Sequence, residues 1–223
     1  MLAESSTTRR ILFVGNSYTG RSQLPSLIAG LAGAGDPPRK LQVAAILAGG
    51  ASLKRHWNAG KVQQALRAGR WDDVVLQEQS TLPVKNAQRY HDNVRLFVPL
   101  IREHGARLVL YLTWARRETP EKQRDITGAV QTIAAEAGAL VVPVGPAWET
   151  SRRELPEIAL YEDDGSHPTA AGSFLAACVF HARLYGERPN GLAVAATLQL
   201  DREIAEALQA LAWRFRALPP GPP

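Results

Sequence analysis

The sequence contains one cysteine, Cys178, in its 223 residues, so it can form neither an internal disulfide nor a zinc site of several thiolates. It also contains no run of about 18 apolar residues, the length that a membrane-spanning helix needs. Its net charge of +5 is spread along the chain, without a basic run long enough to act as a nucleic-acid-binding arm. We therefore expect a folded protein that binds neither nucleic acid nor a membrane.

The first ten residues are polar and are followed by only a short apolar run, at 11–14. A secretory leader has a longer apolar region, so none is expected in the sequence as given, and the expected location is cytoplasmic. A secreted or periplasmic location would follow if a leader had been removed from a precursor. The sequence gives no indication of the oligomeric state.

Five short apolar runs alternate along the chain with longer stretches of helical composition. This alternation predicts a doubly wound α/β fold, in which helices cover both faces of a parallel sheet. The unbroken apolar character of the runs is typical of strands that are buried on both sides. The predicted strands cover 11–14, 41–47, 74–76, 108–112 and 140–142, and the predicted helices cover about 23–33, 60–68, 87–104, 121–137, 169–185 and 198–215.

No internal repeat and no linker divides the chain, so we expect residues 1–218 to form a single domain, large enough to bury a substantial core. Residues 219–223 read Pro-Pro-Gly-Pro-Pro and can form neither a helix nor a central strand. We expect them to be a flexible tail. Cys178 lies in an apolar helical stretch and is expected to pack in the core.

A serine follows the first predicted strand, in the segment Gly15-Asn16-Ser17-Tyr18-Thr19-Gly20. In a doubly wound sheet, ligands bind beyond the carboxyl ends of the strands, and a helix that starts there directs free backbone N–H groups at an anion. Ser17 is therefore a candidate nucleophile. The same segment also fits a phosphate-binding turn or a simple helix cap, so by itself it does not distinguish catalysis from binding.

A second polar segment, Asp163-Asp164-Gly165-Ser166-His167-Pro168-Thr169, leads into the helix predicted at 169–185. Asp164 and His167 are close enough in sequence for the carboxylate to accept a hydrogen bond from the imidazole Nδ1–H in a turn. The other ring nitrogen, Nε2, is then free to take a proton from a serine. The alternative is a solvated acidic loop followed by a helix cap.

Together, the two segments resemble the first and last sequence blocks of the SGNH, or GDSL-like, hydrolases. The resemblance extends from residue 11 to about residue 186, with Asn16 where the family often has Asp. It implies a three-layer α/β/α flavodoxin-like sandwich and a catalytic triad of Ser17, His167 and Asp164. It also implies ester hydrolysis without a cofactor, and the remaining histidines form no motif typical of a metal site.

The resemblance further implies an oxyanion hole with three donors. The first is the backbone N–H of Ser17, and the second is a glycine N–H after the second strand, for which Gly50 is the first choice and Gly49 the next. The family's third block reads Gly-x-Asn-Asp, whereas this chain has Gln77-Glu78-Gln79-Ser80. A Gln carboxamide can donate the same hydrogen bond one methylene further out, so Gln79 is the predicted third donor, with Gln77 and Ser80 as rivals.

Further segments resemble a carbohydrate-esterase-like branch of the family, among them Thr113-Trp114-Ala115-Arg116-Arg117 after the fourth strand. Trp114 and Arg116 are therefore expected to line a substrate cleft, and burial of Trp114 in the core is the alternative. The expected activity is that of a serine esterase that removes acetyl groups from carbohydrate, acting on a small-molecule or carbohydrate ester. The alternatives are hydrolysis of short-chain lipid or aryl esters, and a non-catalytic phosphate- or sugar-binding domain.

Overall fold

The computed structural model describes residues 8–217 of the chain. The tail predicted at 219–223 lies outside the described residues. No helix within the described range is both long and apolar enough to cross a membrane. The described residues form three layers, with a five-stranded sheet covered by helices on both faces, which confirms the predicted α/β/α fold class.

The strands of the sheet are all parallel and lie in the order β2-β1-β3-β4-β5. Each predicted strand is present, and four of them extend beyond the predicted bounds by one or two residues at an end. Because β1 lies between β2 and β3, the direction of winding reverses there, and a crevice opens at the carboxyl ends of these strands. The bounds are Arg9–Gly15 (β1), Leu41–Leu47 (β2), Asp73–Leu76 (β3), Arg107–Leu112 (β4) and Leu140–Pro143 (β5).

Successive residues of β1 enter two separate hydrophobic cores, one on each face of the sheet. Ile11 and Phe13 pack in the first core, and Leu12 and Val14 pack in the second. This alternation follows from the two-residue side-chain period of an extended chain. It explains why the strand sequences are apolar at every position rather than at every second position.

The helices divide between the two faces. The first core is closed by α2, α8, α9, α10 and α11, and the second by α3, α4, α6 and α7. The helices of the described chain are α1 (Ser17–Gly20), α2 (Leu24–Gly33), α3 (Leu53–Ala59), α4 (Lys61–Ala68), α5 (Leu82–Lys85), α6 (Ala87–Glu103), α7 (Gln123–Ala137), α8 (Val144–Glu154), α9 (Ala170–Tyr185), α10 (Leu192–Thr197) and α11 (Arg202–Trp213), with 3-10 turns at Arg21–Gln23 and Pro120–Lys122.

The helices differ from the prediction in several places, since α1, α3, α5 and α8 have no predicted counterpart. Helix α8 was not predicted, because Gly145 and Pro146 at its start favour a loop in the sequence, yet it begins directly after β5. The helix predicted at 198–215 is in fact α11, which begins at Arg202, and a separate short helix, α10, precedes it. Gln199 lies between the two with a φ of 56°, a left-handed conformation that ends the first helix.

Candidate active site

Ser17 is held at the carboxyl end of β1 by its neighbour Asn16. Asn16 caps α1, since its Oδ1 accepts a hydrogen bond from the Tyr18 N–H at 3.1 Å. Ser17 is therefore the first residue of α1, and its backbone N–H has no hydrogen-bond partner among residues 8–217. Its side chain is partly exposed at the crevice.

Asp164 and His167 lie on the loop between α8 and α9. An isolated bridge pairs Tyr161 with Pro168, and the Glu162 N–H donates to the His167 carbonyl at 2.9 Å, so the loop closes on itself. Gly165 has a φ of 63° at the turn, a left-handed conformation that glycine adopts without strain. The loop thereby brings the carboxylate and the imidazole together from positions three residues apart.

The three side chains form a continuous hydrogen-bonded chain. His167 Nδ1 lies 2.5 Å from Asp164 Oδ2, and His167 Nε2 lies 2.8 Å from Ser17 Oγ. Since a carboxylate can only accept, Nδ1 carries the proton, and neutral Nε2 accepts from the Ser17 hydroxyl. The hydrogen bond from His167, together with the backbone N–H groups of Ser166 and His167, holds the pKa of the Asp164 carboxyl well below its usual range.

Gln77 lies beneath the serine loop and not in the crevice. Its Oε1 accepts hydrogen bonds from the Asn16 N–H at 2.9 Å and from Thr19 Oγ1 at 3.0 Å, and its Nε2 donates to the Glu78 carbonyl. A Cβ atom at Gly15 would lie 2.6 Å from Gln77 Oε1, so glycine is needed there for this close approach. Since the Gln77 side chain is buried and both ends of its amide are bonded within the protein, it supports the loop and does not reach the crevice.

Gln79 is oriented differently. Its Oε1 accepts from both the N–H and the Oγ1 of Thr81, each at 3.0 Å, while its Nε2 has no partner in the part of the chain that the structure describes. The side chain is partly buried at the carboxyl end of β3. An amide held by its oxygen presents its N–H groups in a fixed direction, as an oxyanion donor requires.

Gly50 follows β2 on the other side of β1, with a φ of 60° and an exposed backbone. Its N–H makes no hydrogen bond within residues 8–217, and neither does that of Gly49. Given the strand order, Gly50 and Gln79 flank Ser17 from opposite sides. Ser80, the remaining rival, is partly buried.

Glu78 is a buried polar residue of the site that was not among the predicted site residues. Its side chain is 6% exposed, and Oε1 accepts from the N–H groups of Leu53, at 3.0 Å, and Gln79, at 2.7 Å. Its Oε2 accepts from Asn93 Nδ2 at 2.8 Å. Burial raises the pKa of this carboxyl despite these bonds. The available signal was a charged residue two positions after the end of an apolar strand.

The expectation that Trp114 lines a substrate cleft is wrong for this structure. The indole is 1% exposed and stacks between Tyr18, at a ring-centroid distance of 4.8 Å, and Trp148, at 3.8 Å. Its Nε1 donates to the Ser166 carbonyl at 3.0 Å. Trp114 therefore lies under the site, because the first core extends up to the loop that carries His167.

Two arginines that follow β4 have different surroundings. Arg116 is exposed, and its guanidinium makes no ion pair or hydrogen bond within the described range. Arg117 is also exposed, but its Nη2 donates to the carbonyls of Asp163, at 2.7 Å, and Glu162, at 3.2 Å. Arg117 thus ties the chain after β4 to the loop between α8 and α9, a contact that the sequence did not indicate, whereas Arg116 is exposed.

The other histidine and carboxylate groups of the described residues build no metal site. Within residues 8–217, no group of three or more His, Cys, Asp or Glu side chains is arranged to hold a metal ion. His56 is buried and its Nε2 donates to the Gly15 carbonyl at 2.8 Å, so it packs against the end of β1. Burial lowers the pKa of His56.

Comparison with solved structures places these observations in a family. A protein assigned to the SGNH hydrolases, from Slackia heliotrinireducens, is 31% identical with a TM-score of 0.67, and the match covers 79% of this chain and 99% of that chain. No protein-family model and no curated protein matches the chain.

More distant structures share the fold. The acetylxylan esterase Axe2 from Geobacillus stearothermophilus matches with a TM-score of 0.63 at 18% identity, over 77% of this chain and 92% of that chain. Variants described as catalytic mutants of Axe2, in which a serine or an aspartate is replaced by alanine, match with TM-scores of 0.63 and 0.62. A protein described as a GDSL-like lipase from Parabacteroides merdae matches with a TM-score of 0.62 at 16% identity, over 77% of this chain and 93% of that chain.

Proposed function

This chain belongs to the SGNH hydrolase family, and on that premise we propose that it is a serine esterase whose catalytic triad is Ser17, His167 and Asp164. The observation that carries the proposal is the hydrogen-bonded chain from Ser17 Oγ through the imidazole to the Asp164 carboxylate. A phosphate-binding loop would need no such chain. The description of a serine and an aspartate variant of Axe2 as catalytic mutants adds support.

The proposed reaction proceeds in two halves. Ser17 Oγ attacks the ester carbonyl carbon while His167 Nε2 takes the hydroxyl proton, and the tetrahedral intermediate then collapses as the imidazolium returns that proton to the leaving alcohol. A water molecule, activated by the same imidazole, attacks the acyl-Ser17 ester and releases the carboxylic acid. Asp164 keeps the imidazole in the required tautomer and stabilises its charged form.

The oxyanion of each tetrahedral intermediate is proposed to bind three donors, the N–H of Ser17, the N–H of Gly50 and the Nε2 of Gln79. All three lack a hydrogen-bond partner among the described residues, and they follow three adjacent strands of the sheet. Donors that are already oriented stabilise the developing charge without reorganisation.

The proposed substrate is an acetyl ester on a carbohydrate. The fold shared with an acetylxylan esterase supports this choice, as does the exposed guanidinium of Arg116 beyond β4, which can donate hydrogen bonds to sugar hydroxyls. Trp114 is not part of the proposed substrate contact, because it is buried.

Two measurements test this function. A fluorophosphonate should label wild-type protein at Ser17 and should not label Ser17→Ala, while a Ser26→Ala control at an exposed serine of α2 should be labelled normally. Acetate release from acetylated xylooligosaccharides should fall by roughly a thousandfold or more in Ser17→Ala. Normal hydrolysis by Ser17→Ala would overturn the triad, and a strong preference for long-chain 4-nitrophenyl esters over acetyl esters would overturn the substrate.

A further inference from the structure

A second hydrogen bond runs parallel to the one between Ser17 and His167. The Tyr18 hydroxyl lies 2.6 Å from Ser166 Oγ, so the residue after the serine contacts the residue before the histidine. Both are buried, with Tyr18 4% exposed and Ser166 7% exposed. Helix α1 and the loop between α8 and α9, which carries Asp164 and His167, are therefore joined twice, once at the crevice and once beneath it.

The buried contact is packed among aromatic rings. The Tyr18 ring stacks on Trp114 with an interplanar angle of 5°, and Trp114 also donates its Nε1–H to the Ser166 carbonyl at 3.0 Å. Ser166 is thus held through its side chain by Tyr18 and through its backbone by Trp114. Trp148 stacks on the far side of Trp114 and continues the support into the first core.

The contact between Ser17 and His167 is less protected. The His167 side chain is 26% exposed and the Asp164 side chain 48%, so water competes for both. An exposed hydrogen bond contributes little to fixing a loop. Ser166 also donates its N–H to Asp164 Oδ1 at 2.9 Å, so a shift of Ser166 moves both members of the Asp-His pair.

We propose that Tyr18 is a positioning residue, whose hydroxyl holds Ser166 and thereby sets the distance and direction of His167 Nε2 relative to Ser17 Oγ. This inference depends on the proposed esterase function. Tyr18 is too deeply buried to contact a substrate, so its effect reaches the reaction only through the loop. Proton transfer and attack are sensitive to displacements of about 1 Å, which a loosened loop readily reaches.

The test compares Tyr18→Phe and Ser166→Ala with wild type, using enzyme whose active sites have been counted by fluorophosphonate titration. Each variant should lose about tenfold or more in kcat with little change in KM, since ground-state binding does not use this contact. The double variant should be no worse than the more impaired single variant, because both substitutions remove the same hydrogen bond. Fluorophosphonate labelling should slow in parallel with kcat.

Tyr111→Phe is the matched control. Tyr111 is another buried tyrosine of the first core, and its hydroxyl has no partner within the described residues, so its removal should leave kcat unchanged. A Tyr18→Phe enzyme with wild-type kcat, or with a raised KM alone, would overturn the positioning role. If Ser17→Ala still hydrolysed the ester, the proposed function itself would be wrong, so the two failures are distinguishable. Ser166→Ala gives the same answer if Tyr18→Phe does not fold.

Discussion

Gln79 is the residue on which the oxyanion proposal depends, since this chain lacks the asparagine of the family's third block. We expect Gln79→Ala to lower kcat by roughly a hundredfold with little change in KM, because the hydrogen bond strengthens mainly as charge develops on the substrate oxygen. Steady-state kinetics with an acetyl ester measure this. Ser80→Ala is the control and should be milder, and a larger loss of kcat at Ser80 would identify Ser80 as the donor.

At the residue scale, the sequence could predict which residues form the candidate site better than it could predict what surrounds them. Asp164 and His167 are only three residues apart, so a turn alone brings them together, whereas their catalytic role stays a prediction. Gln77 and Gln79, which follow β3, are two residues apart and point to the same side of an extended chain, so only the space beneath Gly15 distinguishes them. That space is a tertiary property, as is the stacking that buries Trp114.

The raised pKa of the buried Glu78 carboxyl predicts that the free energy of unfolding depends on pH. Because burial raises the pKa of this carboxyl, the folded protein binds the proton more tightly than the unfolded chain does. Its contribution to stability is therefore fully present below the ordinary pKa of 4.5 and is lost as pH rises through the raised value. Glu78→Gln does not titrate, so its melting temperature relative to wild type should increase as pH rises across this window.

The control for this measurement is Glu149→Gln, at an exposed carboxylate of α8, which should show no comparable trend. If Glu78→Gln instead loses stability relative to wild type as pH rises, folding lowers the pKa of Glu78 and does not raise it. In that case the hydrogen bonds from Leu53, Gln79 and Asn93 would outweigh the cost of burying the charge.

At the element scale, helix α8 is the largest departure from the predicted structure, and Gly145 explains it. A Cβ atom at Gly145 would lie 2.2 Å from the Thr113 carbonyl oxygen and 2.3 Å from Gln123 Nε2. The glycine therefore allows the start of α8 to approach the chain after β4, and it does not mark a loop. Helix ends that are marked by a glycine were predictable from the sequence. Gly138, for example, ends α7 with a φ of 61°.

We expect Gly145→Ala to lower the free energy of unfolding by roughly 1–3 kcal/mol, because the added methyl group must displace backbone or the buried Gln123 side chain. Urea denaturation followed by circular dichroism measures the change. Gly128→Ala in α7 is the matched control. Nothing lies within 4 Å of its added Cβ, so it should be stabilising by about 0.5–1 kcal/mol. Equal stability of the two variants would contradict the close approach of α8.

At the scale of the whole molecule, the two edges of the sheet carry different chemistry. The residues proposed for catalysis follow the carboxyl ends of the strands, and an ion-pair cluster around the buried Asp73 lies at the amino ends. There Asp73 at the start of β3 accepts from Arg9 of β1 at 2.6 Å and from Arg107 of β4 at 2.7 Å. The parallel sheet could be expected from the alternating pattern, but this cluster could not, since its members are more than 30 residues apart in sequence.

Asp73→Asn should therefore separate stability from activity. The Asp73 side chain is 1% exposed and each of its oxygens pairs with one guanidinium, so an amide would turn an NH₂ group toward one arginine and leave its charge uncompensated. We expect the free energy of unfolding to fall by roughly 1–3 kcal/mol, while kcat and KM for the folded enzyme stay unchanged, because the cluster lies at the edge of the sheet opposite to Ser17.

The control is Asp72→Asn, at an exposed neighbour whose Oδ2 accepts from the Arg10 N–H, a bond that an asparagine oxygen can still accept. Its stability should change by no more than about 0.5 kcal/mol. A fall in kcat for Asp73→Asn without a loss of stability would show that the strands transmit a change from one edge of the sheet to the other.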